Sequence, residues 1–147
     1  MKKIKWMMMP LFAGMLLMQS CKKDTSTPAN PNVNFAATLT GASETPVNAS
    51  AATATFTGTY NTNTKVLTYS LTYAGIAPTA WHIHNGLPGV AGGVEFSLGP
   101  IVPSPLSSAT AAFTTTQESD LMENKFYVNI HSTAFPNGEI RGQLNKQ

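Results

Sequence analysis

The residues of this 147-residue chain best suited to shared chemistry are its three histidines. His82 and His84 stand two apart in Ala80-Trp81-His82-Ile83-His84-Asn85-Gly86, and His131 ends the run Tyr127-Val128-Asn129-Ile130-His131. Both stretches alternate apolar and polar residues as half-buried strands do. That alternation sends Trp81 and Ile83 to one face and His82 and His84 to the other. Likewise Phe126, Val128 and Ile130 oppose Tyr127, Asn129 and His131. Side chains two apart on a strand are based about 6.6 Å from each other. Two imidazoles at that spacing can turn onto one ion at about 2.0–2.1 Å from each nitrogen. A third from a neighbouring strand would complete a set suited to Cu or Zn. The other reading is a hydrogen-bonded network linking adjacent strands. Around these ligands Tyr127, Asn129, Glu139 and Arg141 are candidate supporting groups that would orient the imidazoles. They can equally be plain cross-strand partners. Glu139 and Arg141 share one face of the last strand, where an exposed ion pair would contribute at most about 1 kcal/mol.

The elements that must position these residues read as strands. Phe35, Ala37 and Leu39 alternate with polar neighbours. So do Ala52, Ala54, Phe56, Gly58 and Tyr60, and then Leu67, Tyr69, Leu71 and Tyr73. The turn cluster 61–65 joins the last two runs into a hairpin. Strands are also expected at 80–85, from Val94 to Leu98, and weakly over 109–114. Residues 125–131 and 139–144 form a pair around the turn Pro136-Asn137-Gly138. One helical turn is expected over 119–124, capped by Ser119. Glu44-Thr45-Pro46 is expected to shape a turn or bulge near a sheet edge. β-branched, threonine-rich strands at this spacing predict an all-β domain, an antiparallel sandwich or barrel. Its expected interior includes Leu67, Tyr69, Leu71, Trp81, Ile83, Phe126, Val128, Ile130 and Ile140.

The start of the chain reads differently. Lys2, Lys3 and Lys5 precede an apolar run from Trp6 to Met18, which ends in Gln19-Ser20-Cys21. This is the plan of a secretory signal, and the run falls short of the ~20 residues that span a bilayer. Cys21, the sole cysteine, follows the small residue as the lipidated cysteine of a bacterial lipoprotein does. The expected order is therefore a signal peptide over 1–20, a flexible tether over 21–34, and a β domain over 35–145. The Pro- and Asn-rich 22–34 has almost no apolar content to fold around. The expected location is the bacterial cell envelope, lipid-anchored, facing the periplasm or the cell surface.

Removing the leader changes the charge. Lys2, Lys3 and Lys5 leave with it, so nine basic residues become six against seven acidic ones. No basic patch remains, and nucleic acid is not an expected partner. Ser132 adjoins His131 but points to the opposite strand face, so no serine–histidine–aspartate set forms. Paired carboxylates for glycoside cleavage are also unsupported. The glycine-rich 86–93 lacks the lysine and hydroxyl residue of a phosphate loop.

Three blocks, in order, resemble the CHRD domain, a family first noted in chordin and also found in bacterial exported proteins. They are Phe35-Ala-Ala-Thr-Leu-Thr-Gly-Ala-Ser-Glu44-Thr-Pro46-Val47, then His82-Ile83-His84-Asn85-Gly86, then Tyr127-Val128-Asn129-Ile130-His131 with Gly138-Glu139-Ile140-Arg141-Gly142-Gln143-Leu144. Trp81 stands where most members have Ala, and Asn85 where many have Gly. The resemblance implies an immunoglobulin-like, Greek-key β-barrel. In chordin such domains belong to a secreted antagonist of growth factors, a role that does not transfer with the fold. His-X-His on a strand is also similar to the copper-binding strand of Cu/Zn superoxide dismutases. Three histidines cannot build that dinuclear centre, and a single copper site would need water or another group to fill a missing ligand position. The favoured expectation is a non-catalytic binding or scaffold module at the envelope, with a protein or glycan partner. The alternative is a small copper or zinc protein, redox-active or not, built on His82, His84 and His131.

Overall fold

The computed structural model describes residues 30–147. Cys21, the leader and most of the expected tether lie outside the described residues. The chain forms β1 (Asn32–Thr40), a 3-10 turn (Gly41–Ser43), β2 (Thr53–Asn61), β3 (Val66–Ala74), β4 (Pro78–Asn85) and β5 (Gly93–Ser97). It continues through β6 (Leu106–Ala109), α1 (Thr115–Met122), β7 (Phe126–Ser132), β8 (Ile140–Gln143) and β9 (Asn145–Lys146). The strands join one antiparallel sheet in the order β5-β4-β7-β8-β1-β2-β3-β6, with the short β9 beside β1. The sheet curls around a single core as a half-barrel. β1, β2 and β3 follow one another through full-length ladders. Long connections set β6 beside β3 and β7 beside β4.

Period-two alternation explains the core. Leu39, Phe56, Tyr60, Leu67, Leu71, Ile83, Phe126, Val128, Ile130 and Ile140 have no exposed surface, and Trp81 almost none. Every residue expected inside is inside. Burying a large apolar side chain of this kind contributes about 1.5–3 kcal/mol relative to leaving it in water. Side chains of β3 and β4 hold the segment that follows β5. The Tyr69 hydroxyl donates to the Leu98 carbonyl (3.2 Å) and the Trp81 indole N–H donates to the Gly99 carbonyl (3.1 Å). Phe113 stacks on Phe96 and meets Tyr60 edge-on.

Four local expectations change. β1 starts at Asn32, inside the expected tether, because 32–34 pair with 59–61 of β2. The strand expected over 109–114 lies at Leu106–Ala109, against Thr68–Leu71. Beyond it the chain leaves the ladder toward α1, keeping the bonds from the Thr110 and Phe113 N–H groups to the Leu67 and Lys65 carbonyls and one from the Leu67 N–H to the Thr110 hydroxyl. The helix spans two turns rather than one, and Thr114 caps it instead of Ser119. The Thr114 hydroxyl accepts from the Gln117 N–H while the Gln117 side chain accepts from the Thr114 N–H. That reciprocal box satisfies two donors that a helix start otherwise leaves unpaired. Finally, 44–46 bend as expected but not at an edge: β1, which leads into them, lies between β8 and β2, and Glu44 is itself buried.

A candidate three-histidine centre

β4 and β7 lie side by side, with His82 opposite Asn129, His84 opposite Tyr127 and Ala80 opposite His131. The register therefore puts all three imidazoles on one face, away from Trp81 and Ile83. Each can offer one nitrogen such that the three lie within 4.8 Å of one another. His82 Nδ1 is 3.2 Å from His131 Nε2. Two nitrogens on one ion at bond lengths of about 2.0–2.1 Å and a tetrahedral angle would stand about 3.3 Å apart.

Two backbone carbonyls fix where the protons are. His84 Nδ1 lies 3.1 Å from the Gly92 carbonyl, and His131 Nδ1 lies 3.1 Å from the Pro136 carbonyl. A carbonyl only accepts, so both Nδ1 atoms carry hydrogen and both Nε2 atoms carry a lone pair. His82 Nδ1–H then donates to His131 Nε2. His84 Nε2 has no partner and is shut off from solvent. A buried acceptor left alone costs about 1–3 kcal/mol. Burial, then the other two histidines, lowers the His82 pKa. Burial also lowers that of His84 against the opposing Gly92 bond, with His131 and Arg141 adding to it. Both favour the neutral imidazole that a metal requires.

The supporting residues form a stack. The Tyr127 ring lies parallel to His84, 4.9 Å between centroids. The Arg141 guanidinium lies 3.4 Å from the centre of the same ring. Arg141 also donates to the carbonyls of Leu87 (2.9 Å) and Val90 (3.0 Å). The Tyr127 hydroxyl accepts from the Gly92 N–H at 3.0 Å. Gly92 thus holds both members of the histidine–tyrosine pair, and a side chain there would collide with the Asn85 carbonyl.

The possible ion pair between Glu139 and Arg141 does not form. Arg141 turns into the 87–90 loop, while the Glu139 carboxylate accepts from the Ser50 hydroxyl at 2.7 Å. Asn129 is buried beside Glu44, and Gly138 packs against both. Burial pushes the Glu44 carboxyl up, although the Thr45 N–H, Arg141 and Asn129 each pull it down. Gly92, Glu44 and Gly138 were not singled out as site residues in the sequence. The glycine pair at 92–93 was visible as a loop, and no periodicity marks Glu44. Trp81 belongs to the core. Ser132 is buried on that same side, and Asp120 on α1 binds Lys125 and Asn85, so neither adds a catalytic partner to His131.

A family model for the CHRD domain matches residues 35–144. No curated protein and no solved structure matches the chain. The match covers the three sequence blocks, the strand pair that carries the histidines and the loops that fix their protons, and the chain belongs to the CHRD domain family.

Proposed function

We propose that this chain is a non-catalytic binding module of the bacterial cell envelope, exported by its leader and anchored through lipid on Cys21. The carrying observation is how the polar residues at the histidine end are used. Arg141 holds the 87–90 loop, Glu139 is held by Ser50, and the His84 and His131 Nδ1 protons meet carbonyls. The Ser50 hydroxyl meets the Glu139 carboxylate, but among the described residues no histidine is bonded to a serine or threonine hydroxyl in the manner of an acyl-transfer triad. The same end carries exposed apolar residues on its loops. Val47 is 68% exposed, Leu87 53% and Val90 52%. Such a rim around a polar centre suits a protein or glycan partner. Fractionating cells that make wild type or Cys21→Ala tests the anchor. The variant should leave the membrane fraction and lose a lipid-modified N-terminal peptide by mass spectrometry. Equal retention without lipid would refute it.

A second reading, a small metal-binding protein, is favoured by one observation: the buried, unpartnered His84 Nε2 beside two further imidazoles. Copper or zinc should then bind in a 1:1 ratio by calorimetry, and His82→Gln with His131→Asn should abolish it in a folded domain.

A further inference from the structure

On the metal-binding reading above, the donors and the fixed charges around the three histidines decide which ion the site takes. We infer that the centre is selective for monovalent copper, held by His82 Nδ1, His84 Nε2 and His131 Nε2, over divalent zinc or copper.

The donor set carries the first part of the argument. The three clustered donors are neutral imidazoles, and no carboxylate or thiolate of the described residues joins them. The ion's charge is therefore not cancelled by its ligands. Zinc sites are almost always four-coordinate, so Zn(II) here must complete its shell with water. Copper(I) is satisfied by two or three nitrogens. The His82–His131 separation of 3.2 Å already suits two bonds to one ion.

The surroundings carry the second part. His84 is buried and stacked on Tyr127, and the Arg141 guanidinium lies over the same tyrosine ring. An ion on His84 Nε2 would be repelled by that fixed cation, and for charges ~10 Å apart each additional unit of charge weakens binding roughly tenfold at an effective dielectric of about 20. The charged groups nearby are few. Glu44 lies close enough to Arg141 to interact with it, but its own burial favours the uncharged acid, which makes it a weak counter-charge. Glu139 is turned to Ser50. A divalent ion meets this cation with twice the charge of a monovalent one.

The proton arrangement adds a signature. His84 and His131 already present bare Nε2 atoms, so they ligate without changing tautomer. His82 alone must move a proton: Nδ1 gives up its hydrogen, solvent relays it, and Nε2 takes one up. Nitrogen-15 spectra of the full chain in detergent should show Nδ1–H on all three rings without metal. Adding Cu(I) should switch His82 alone.

Affinities decide the matter. The full chain is titrated with Cu(I) anaerobically against a chromophoric Cu(I) chelator, and separately with Zn(II) and Cu(II) against competing chelators. The expected result is one Cu(I), bound at least tenfold more tightly than either divalent ion. Arg141→Met should narrow that ratio roughly tenfold, and Arg141→Lys should restore most of it; circular dichroism checks that both variants fold. Zn(II) or Cu(II) binding as tightly as Cu(I) overturns the inference and leaves the metal reading intact. Failure of all three ions to bind overturns both. If Arg141→Met does not fold, Arg141→Gln replaces it: the same narrowing is expected, and an unchanged ratio counts against the inference.

Discussion

The two arms of the sheet share a core and treat their outer faces in opposite ways. On β1, β2 and β3 most outward residues are hydroxyls: Thr38 faces Thr55, which faces Thr72, and Thr57 faces Ser70. These side chains meet water. On β4, β7 and β8 the outward residues are His82, His84, Tyr127, Asn129, His131 and Arg141, covered by the loops after β1, β4 and β7. Sheet twist and alternation are common to both. The difference lies in what the loops do. Where the chain turns tightly, as over 62–65, the outer face stays bare. Where it wanders, backbone carbonyls fold over the sheet and give fixed partners to groups that would otherwise be solvated. A threonine face asks little of its neighbours, whereas a buried arginine and a buried histidine require specific ones.

Truncating the shared core should show no difference between the arms. Phe56→Ala from the first and Phe126→Ala from the second should each cost about 3–5 kcal/mol in urea unfolding. A much smaller loss on one side would mean that the arms do not unfold together. The outer faces should then diverge. Arg141→Ala removes hydrogen bonds from a charged group to two loop carbonyls and uncovers Tyr127, and should cost about 3 kcal/mol. Thr57→Ala, on the exposed arm, should stay within about 0.5 kcal/mol. Similar losses for the two would sink the comparison.

Between these lies a pH effect seated in the first arm. The Tyr60 phenol is fully buried, and its pKa is pushed from 10.0 up to about 12, by burial first and then by Glu118. The folded state keeps that proton where the unfolded chain has lost it. Stability is therefore undiminished below about pH 10 and falls as pH rises from there toward 12, by an amount on the order of 2 kcal/mol. Tyrosinate absorbance against pH, alongside thermal melts, measures it. Tyr60→Phe should flatten the fall. The smallest local effect worth measuring is the helix start, where Thr114→Ala should cost about 1 kcal/mol.

Legibility followed the same division. Alternation alone fixed which residues of β2, β3, β4 and β7 face inward, because a strand's period leaves two choices and apolar side chains decide between them. It also put the three histidines on one face, since His82, His84 and His131 each oppose an apolar neighbour. The covering groups were less legible. That Arg141 reaches Leu87 and Val90, that Gly92 holds His84, and that Glu44 is buried depend on loop paths spanning 54 residues for Arg141 to Leu87. Periodicity carries no information about such distances. The two-turn helix was missed in part because Ser119 resembles a cap, and the Thr114–Gln117 box sits just ahead of it.

The seam between the outermost strands has its own consequence. Around most of the half-barrel, neighbouring strands are tied by backbone ladders several residues long, with β1 and β8 joined at a single register pair. At the seam the closure depends on a phenol and a few aromatic contacts, with Tyr69 of β3 reaching Leu98 beyond β5, Phe113 stacked on Phe96, and Tyr73 edge-on to Trp81. Side chains can swing where ladders cannot. The domain is thus built like a cuff with a clasp: it can loosen along one line while each strand keeps its partner. Amide hydrogens of residues 98–105 should exchange with solvent before those of β2 and β7.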